Sequence, residues 1–250
     1  MNNEQAKRIM EISKNTYEMI SEDFSATRNR VWPEMEILVK KYVRSGMKVL
    51  DLGCGNGRLA GILPEVRYIG VDGCEMLAEK AKKIYDLRFK NYEFKILDML
   101  ELEKLGEKDF DVVFMFASLN HVASEKNRRK VLEDVKNILK PGGILIMTNW
   151  NMWRIGAGKG VWRYKLKIPS TKSKIKNYGL GFRDVMTVWQ SGDKKKQGEL
   201  YYRAFGLKEL KGLLDKTGFV MMENYYSLEG EKAQWWKGKN IVTVGRSVGE

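Results

Sequence analysis

The fold turns on "VLDLGCGNGRLA", residues 49–60, where a short apolar run carrying Asp51 leads straight into three glycines at alternate positions. A buried strand ends this way where the backbone must bend sharply and approach a ligand more closely than a side chain permits. Gly53, Gly55 and Gly57 supply that turn, with Cys54 and Asn56 between them. A bare glycine triplet serves several cofactors. Its context narrows the choice: in "YIGVDGCEML" (68–77), Asp72 and then Gly73 end the next apolar run, and Asp72 follows Asp51 by 21 positions. That distance closes a strand, turn, helix and strand, and brings a carboxylate to a ribose diol. Asp72 is therefore read as a cofactor ligand.

Working outward, Lys48 to Leu52, Arg67 to Val71, Tyr92 to Leu97, Phe110 to Phe116 and Ile144 to Thr148 read as strands. Helical periodicity appears between them at Met76 to Lys83 and Lys126 to Leu139. The alternation predicts an α/β protein with a mostly parallel, doubly wound, Rossmann-like sheet. Upstream, Asn3 to Ile20 and Glu34 to Tyr42 read as helices on either side of "DFSATRNRVWP" (23–33), which has the pattern of neither helix nor strand. Beyond Trp150 the regularity breaks in a stretch rich in Lys, Gly and Trp. A helix at Leu207 to Thr217 and strands at Val220 to Tyr226 and Asn240 to Val244 close the chain. The expected organisation is one domain over 1–250: an N-terminal cap (1–45), a cofactor-binding core (46–150), a basic and aromatic insertion after strand 5 (151–198), and closing elements (199–250).

Lys and Arg total 45 against 32 Asp and Glu, a formal charge of +13. Such a surplus attracts polyanions, nucleic acid among them, although it also serves simply to solvate a surface. The start "MNNEQAKRIMEISKNTYEMI" lacks the uninterrupted apolar segment of a signal peptide, and no run approaches membrane-spanning length. Two cysteines are too few for a disulfide framework or a zinc cluster, so a reducing cytoplasm is expected. A single histidine, His121, further limits metal chemistry.

The glycine loop, the acid at Asp72, "LDM" (97–99) and "LKPGGILIM" (139–147) occur in the order of the class I S-adenosylmethionine-dependent methyltransferases, which this chain resembles. The resemblance implies S-adenosylmethionine as cofactor, held by Asp51, Gly53, Cys54, Gly55, Asn56, Gly57, Asp72, Gly73, Asp98, Met99, Phe116 and Ala117, with Asp98 at the adenine amino group.

A narrower resemblance lies in "YEMISEDFSATRNRVWPEM" (17–35), which is similar to the N-terminal signature of the tRNA wobble-uridine carboxymethyl methyltransferases. These include the methyltransferase domain of an AlkB-homologue enzyme. Tyr17, Ile20, Phe24, Ser25, Thr27, Arg28, Trp32 and Pro33 carry the match. It continues in "FASLNHVASEKNRRKVLEDVKNILKPGG" (116–143), with His121, Arg128 and Arg129, and more faintly in "GELYYRAFGLKELKGLL" (198–214). The implied reaction esterifies the carboxylate of 5-carboxymethyluridine in tRNA, and eukaryotic relatives work with a small zinc-containing activator subunit.

A carboxylate is already ionised at pH 7 and needs no general base, but it does need cationic or hydrogen-bonding clamps. Arg28, with the hydroxyls of Ser25 and Thr27 and the anchor Trp32–Pro33, is the expected clamp. His121 is expected near the methyl group, orienting the acceptor, bonding a base edge, or capping the following helix. The family often has two consecutive histidines there, whereas this chain has Asn120 and then His121. The family's Tyr-Tyr-His appears as Tyr201, Tyr202 and Arg203, which exchanges a neutral donor for a second cationic clamp and opens the way to a different substrate.

Trp150, Trp153, Arg154, Lys159, Trp162, Arg163 and Lys165 interleave aromatic and basic groups, as bases stacked on rings and phosphates on cations require. A small-molecule lid with its own satellite core fits the same composition. Two alternatives to a tRNA enzyme therefore remain: an O- or N-methyltransferase for a small acidic metabolite, and a tRNA-binding protein with a vestigial cofactor site.

Overall fold

The computed structural model describes residues 1–27, 30–85, 90–154, 161, 178–191 and 195–249. Its main sheet has eight strands: β1 (Lys48–Leu52), β2 (Arg67–Asp72), β3 (Tyr92–Ile96), β4 (Phe110–Phe116), β5 (Leu139–Trp150), β8 (Phe219–Leu228), β9 (Glu231–Ala233) and β10 (Asn240–Ser247). Their spatial order is β3-β2-β1-β4-β5-β10-β8-β9. The first five pair in parallel, while β10 lies antiparallel between β5 and β8. The order reverses beside β1, so the carboxyl ends of β1 and β4 diverge into the crevice where ligands sit in such sheets.

Successive strand residues face opposite sides, and the two cores follow that alternation. Leu50, Leu52, Ile69, Val71, Val113, Met115, Leu145 and Met147 pack on one face against α4 (Glu125–Ile138) and α5 (Leu207–Lys216). Val49, Tyr68, Val112, Phe114, Phe116 and Ile146 pack on the other against Met35, Leu38 and Val39 of α2 (Pro33–Tyr42). The third helix, α3 (Glu75–Tyr85), follows β2. β5 is longer than its apolar run suggests: Leu139 pairs with Phe110 before a register shift at "KPGG", after which Ile144 pairs with Val112. Pro and Gly disguise that entry as a turn.

The first helix, α1 (Asn3–Ala26), starts in a reciprocal cap: the Asn2 side chain accepts from Gln5 N at 2.8 Å, and the Gln5 side chain accepts from Asn2 N at 3.0 Å. It runs through Asp23–Ala26, so the beginning of the stretch that had no helical pattern is this helix's last turn. Buried Ser13, Thr16, Ser21 and Ser25 make that face narrow enough for close packing. There it meets a separate antiparallel ribbon, β6 (Asp184–Gln190) with β7 (Gln197–Arg203). Thr16 Oγ1 donates to Glu199 O at 2.9 Å, and Tyr201 N donates to Ser13 Oγ at 3.0 Å. The ribbon lies after strand 5, where the sequence predicts an insertion, and continues through position 203. No helix among the described residues is long and apolar enough to cross a membrane.

Candidate active site

β1 delivers its glycine turn to the mouth of the crevice. Gly53 and Cys54 both donate their N–H to Val71 O, at 2.7 and 3.0 Å, which locks the turn to the end of β2. Gly53 has φ +87° and lies so near Ser118 that an added Cβ would stand 2.5 Å from Ser118 Cβ. Gly55 also has positive φ, +56°, but the nearest atom to its missing Cβ is Phe24 Cε1 at 3.9 Å. One glycine is thus required by packing, and the next leaves room for a ligand against bare backbone.

Asp72 faces the same cleft. Its Oδ2 accepts from Gly55 N at 2.8 Å and its Oδ1 from Cys74 N at 2.8 Å. Burial pushes its pKa up, and those two N–H groups oppose the shift. Each carboxylate oxygen keeps a further lone pair for a diol. Asp98 lines the cleft after β3 and caps the following 3₁₀ turn (Met99–Leu105) through Leu100 N at 2.9 Å.

The cleft encloses about 200 Å³. Of the cofactor residues expected from sequence, Gly53, Cys54, Gly55, Asn56, Asp72, Gly73, Asp98, Met99, Phe116 and Ala117 line it. Asp51 and Gly57 stand behind it. Asp51 is buried and accepts from Tyr68 Oη at 3.0 Å, and burial pushes its pKa up to about 7. Gly57 has φ +77° and allows Ala81, Tyr85 and Phe94 to pack against the turn. Burial also raises both thiols, Cys74 to about 12, so neither is a thiolate at neutral pH.

The rest of the cleft lining is largely aromatic. His121 ends a 3₁₀ turn (Leu119–His121) after β4 and is enclosed by Tyr17 and Tyr202, whose ring centroids lie 5.4 and 4.6 Å from its own. Its Nδ1 lies 2.9 Å from Tyr201 O, which accepts only, so Nδ1 carries the proton and Nε2 accepts from Tyr17 Oη at 3.1 Å. Burial lowers its pKa to about 4, leaving the ring neutral at pH 7. At the other wall Trp32 meets Trp150 edge to face at 5.5 Å, and the Arg58 guanidinium covers the Trp32 ring at 4.2 Å from its centroid.

Several expected acceptor residues stand elsewhere, each for a visible reason. Arg203 pairs with Asp184 at 3.1 Å and Glu209 at 2.8 Å, which commits it to joining the ribbon to α5 rather than clamping an acceptor. Ser25 is buried and accepts from Asn56 Nδ2 at 3.1 Å, so it braces the cofactor turn. Thr27 turns its hydroxyl back onto Asp23 O and Phe24 O. Asn120 is fully buried beside the turn, outside the cleft lining. Trp153 donates its indole N–H to Phe205 O at 2.9 Å and packs against Phe182, and half-buried Arg154 follows it away from the cleft. Arg28 and Trp162 lie outside the described residues, as do Lys159, Arg163 and Lys165.

Sequence reasoning also left out lining residues. Met10, Ser13 and Lys14 join Tyr17 and Phe24, which the signature had already named, in one wall from α1, and their spacing of three, four and seven was the available signal for a shared helix face. Arg58 was visible only as the residue that ends the glycine pattern. Nothing in the sequence announces Glu18, whose carboxylate accepts from Glu75 N at 2.8 Å and Met76 N at 3.2 Å. It thereby caps α3 from another helix.

A methyltransferase domain family model matches residues 43–206. The chain belongs to this methyltransferase family. It is 32% identical over 134 residues to the tRNA (carboxymethyluridine(34)-5-O)-methyltransferase of Arabidopsis thaliana, covering 54% of this chain and 31% of that protein, so it spans under a third of that relative's length. Against the protein of the same name from Schizosaccharomyces pombe it is 24% identical over 223 residues, covering 88% and 92%. An S-adenosylmethionine-dependent methyltransferase structure from Methanosarcina mazei superposes with a TM-score of 0.65 at 21% identity, covering 85% of this chain and 98% of that one. A Haloferax volcanii methyltransferase solved in complex with its Trm112 activator gives 0.63 at 15%, covering 95% and 98%. The fold is that of the S-adenosylmethionine-dependent enzymes, and the glycine cradle and the paired acids Asp72 and Asp98 fit that cofactor.

Proposed function

We propose that this methyltransferase esterifies the carboxylate of 5-carboxymethyluridine at the wobble position of tRNA. The observation that carries the reading is the location of the N-terminal signature shared in pattern with that family. Tyr17, Phe24 and Trp32 of the signature line the acceptor side of the cleft, and Ser25 braces its cofactor turn.

S-adenosylmethionine supplies an electrophilic methyl group on a sulfonium, and the protein's task is to hold a nucleophile in line behind it and exclude water. Asp72 and Asp98 hold the nucleoside part, and the α1 wall covers the cleft. A carboxylate nucleophile requires no proton-accepting step, so His121 has no general-base role in this reading. Fixed by Tyr17 and the Tyr201 carbonyl, it serves as a rigid wall that shapes the acceptor position. Arg58, Lys14 and Arg28 are the cations proposed to receive the carboxylate and the neighbouring phosphates, the first two from the cleft lining itself. A small activator of the Trm112 kind is part of the proposal, to be sought by co-purification.

The test is transfer of labelled methyl into tRNA carrying carboxymethyluridine, read by nucleoside mass spectrometry and mild alkali. An alkali-labile methyl on that uridine is expected. No incorporation with cofactor bound, both alone and with an activator, would sink the proposal and favour a small acidic metabolite. Arg28→Ala should spare cofactor binding and sharply reduce transfer.

A further inference from the structure

The loop between β9 and β10 holds Trp235 and Trp236 outward, 44% and 41% exposed, with ring centroids 5.7 Å apart and planes at 87°. Two adjacent exposed indoles are an unusual expense of apolar surface in water. The backbone beneath them is firmly fixed. The buried Asn151 side chain donates to Trp235 O at 2.6 Å and Gly238 O at 2.8 Å, Asn151 N donates to Lys239 O at 2.9 Å, and Lys239 N to Ser227 O at 2.7 Å. Gly238 is wedged against Tyr226, whose Cβ would lie 2.8 Å from an added Cβ. The rings are therefore presented in a preorganised position.

Their location is as informative as their exposure. Asn151 follows Trp150, which lines the cleft and meets Trp32, and Asn240 pairs with Trp150 across β10 and β5. The tip of the β8–β9 hairpin packs on the start of α2, with Gly230 against Ile37 and Pro33. The exposed pair is thus joined through Asn151 and Asn240 to the end of β5, whose Trp150 lines the cleft with Trp32. Lys232, Lys237 and Lys239 flank the pair in sequence. Lys239 is bound to Glu229 at 2.7 Å; the other acids on the hairpin are Glu231 and Glu223, the latter paired with Lys41 at 2.6 Å. The chain as a whole carries +13.

We infer that Trp235 and Trp236 form a stacking platform for an unpaired RNA base close to the nucleotide being methylated, so that a single-stranded loop is gripped on both sides of the reacting residue. The inference rests on the tRNA reading and names the surface that such a substrate would use. Stacking on an aromatic face tolerates any base, so the platform would grip a loop without reading its sequence.

The experiment measures binding of the whole protein to an unmodified anticodon stem-loop RNA and to a fully paired duplex of the same length, by fluorescence anisotropy. Trp235→Ala/Trp236→Ala should weaken stem-loop binding by roughly ten-fold, the size expected for the loss of one stacked base. Duplex binding and calorimetric cofactor affinity should be unchanged, the latter reporting that the variant is folded. Trp235→Phe/Trp236→Phe should restore most of the loss, because a ring face is what the base requires. Equal stem-loop affinity in wild type and the alanine variant would overturn the platform while leaving the tRNA reading intact. So would concentration-dependent self-association in sedimentation that the alanine variant abolishes, since the occupant would then be a second copy of the chain. A wild type that binds no RNA would sink both.

Discussion

His121 gives the cavity a measurable acid sensitivity. It is the chain's one histidine, and burial holds its pKa near 4 in the folded protein against the ordinary 6.5. Between those values the unfolded chain binds a proton that the folded one refuses, so stability falls as pH drops from about 6.5 to about 4 and levels off below. The gap of about 2.5 units, at 1.36 kcal/mol per unit, amounts to about 3 kcal/mol. Asp51 acts in the opposite sense, because burial raises its pKa to about 7 and folding favours its protonated form as pH falls. The raw pH profile therefore mixes the two. Denaturant unfolding of wild type and His121→Gln, measured in parallel from pH 7.5 to 4, cancels Asp51 and leaves the histidine. The difference should move against the wild type by about 3 kcal/mol as pH falls across this window. A flat difference, or one that favours the wild type in acid, would refute the buried neutral imidazole and its bond with Tyr17. The single ring also permits direct titration by NMR, with no inflection expected near 6.5.

Other consequences are as definite. Asp72→Ala should abolish measurable cofactor binding in calorimetry, since it removes the ribose acceptor and also leaves Gly55 and Cys74 N–H without their carboxylate; retained affinity would contradict the role. Arg203→Met should lower stability by about 3 kcal/mol, because it strands Asp184 and Glu209, while turnover measured well below the melting point persists; lost turnover with unchanged stability would return Arg203 to the acceptor. Gly198→Ala puts a methyl 2.5 Å from Thr16 Cγ2 and should cost about 1–3 kcal/mol in thermal unfolding, with α1 becoming the first site of proteolysis.

The cofactor half of the site was legible because its chemistry is local. The turn, its glycines and the acid at the end of β2 lie within one local unit, β1 and β2 joined by the glycine turn and a 3₁₀ turn (Ala60–Ile62) where the spacing predicted a helix, and β1 and β4 were bounded to the residue by their apolar runs. The acceptor half depends on contacts distant in sequence. Arg203 reads as a spare cation until Asp184, paired across the ribbon, and Glu209, on the next helix, are seen to hold it. Ser25 reads as a substrate hydroxyl until Asn56 is found beside it. The ribbon itself was obscure because the hydrophobic alternation of its strands is weak, and β9, at the far edge of the main sheet, was obscure because it has only three residues. Tyr17 and Phe24 of the α1 wall were named through the signature, but Met10, Ser13 and Lys14 were missed for a different reason: a helix face shows that something packs there, not that the neighbour is a ligand.

The fastening of α1 sets a condition on turnover. Glu18 ties it to α3, Ser13 and Thr16 to β7, and Ser25 to the glycine turn, so a wall of the cleft is a helix fastened at three places. For a cofactor that enters past this helix, the apparent affinity is the intrinsic one scaled by the fraction of molecules in which the helix is displaced. Loosening any one tie would raise that fraction and hasten product escape. It would also admit water to the sulfonium, so the helix sets a balance between the speed of exchange and the fidelity of transfer.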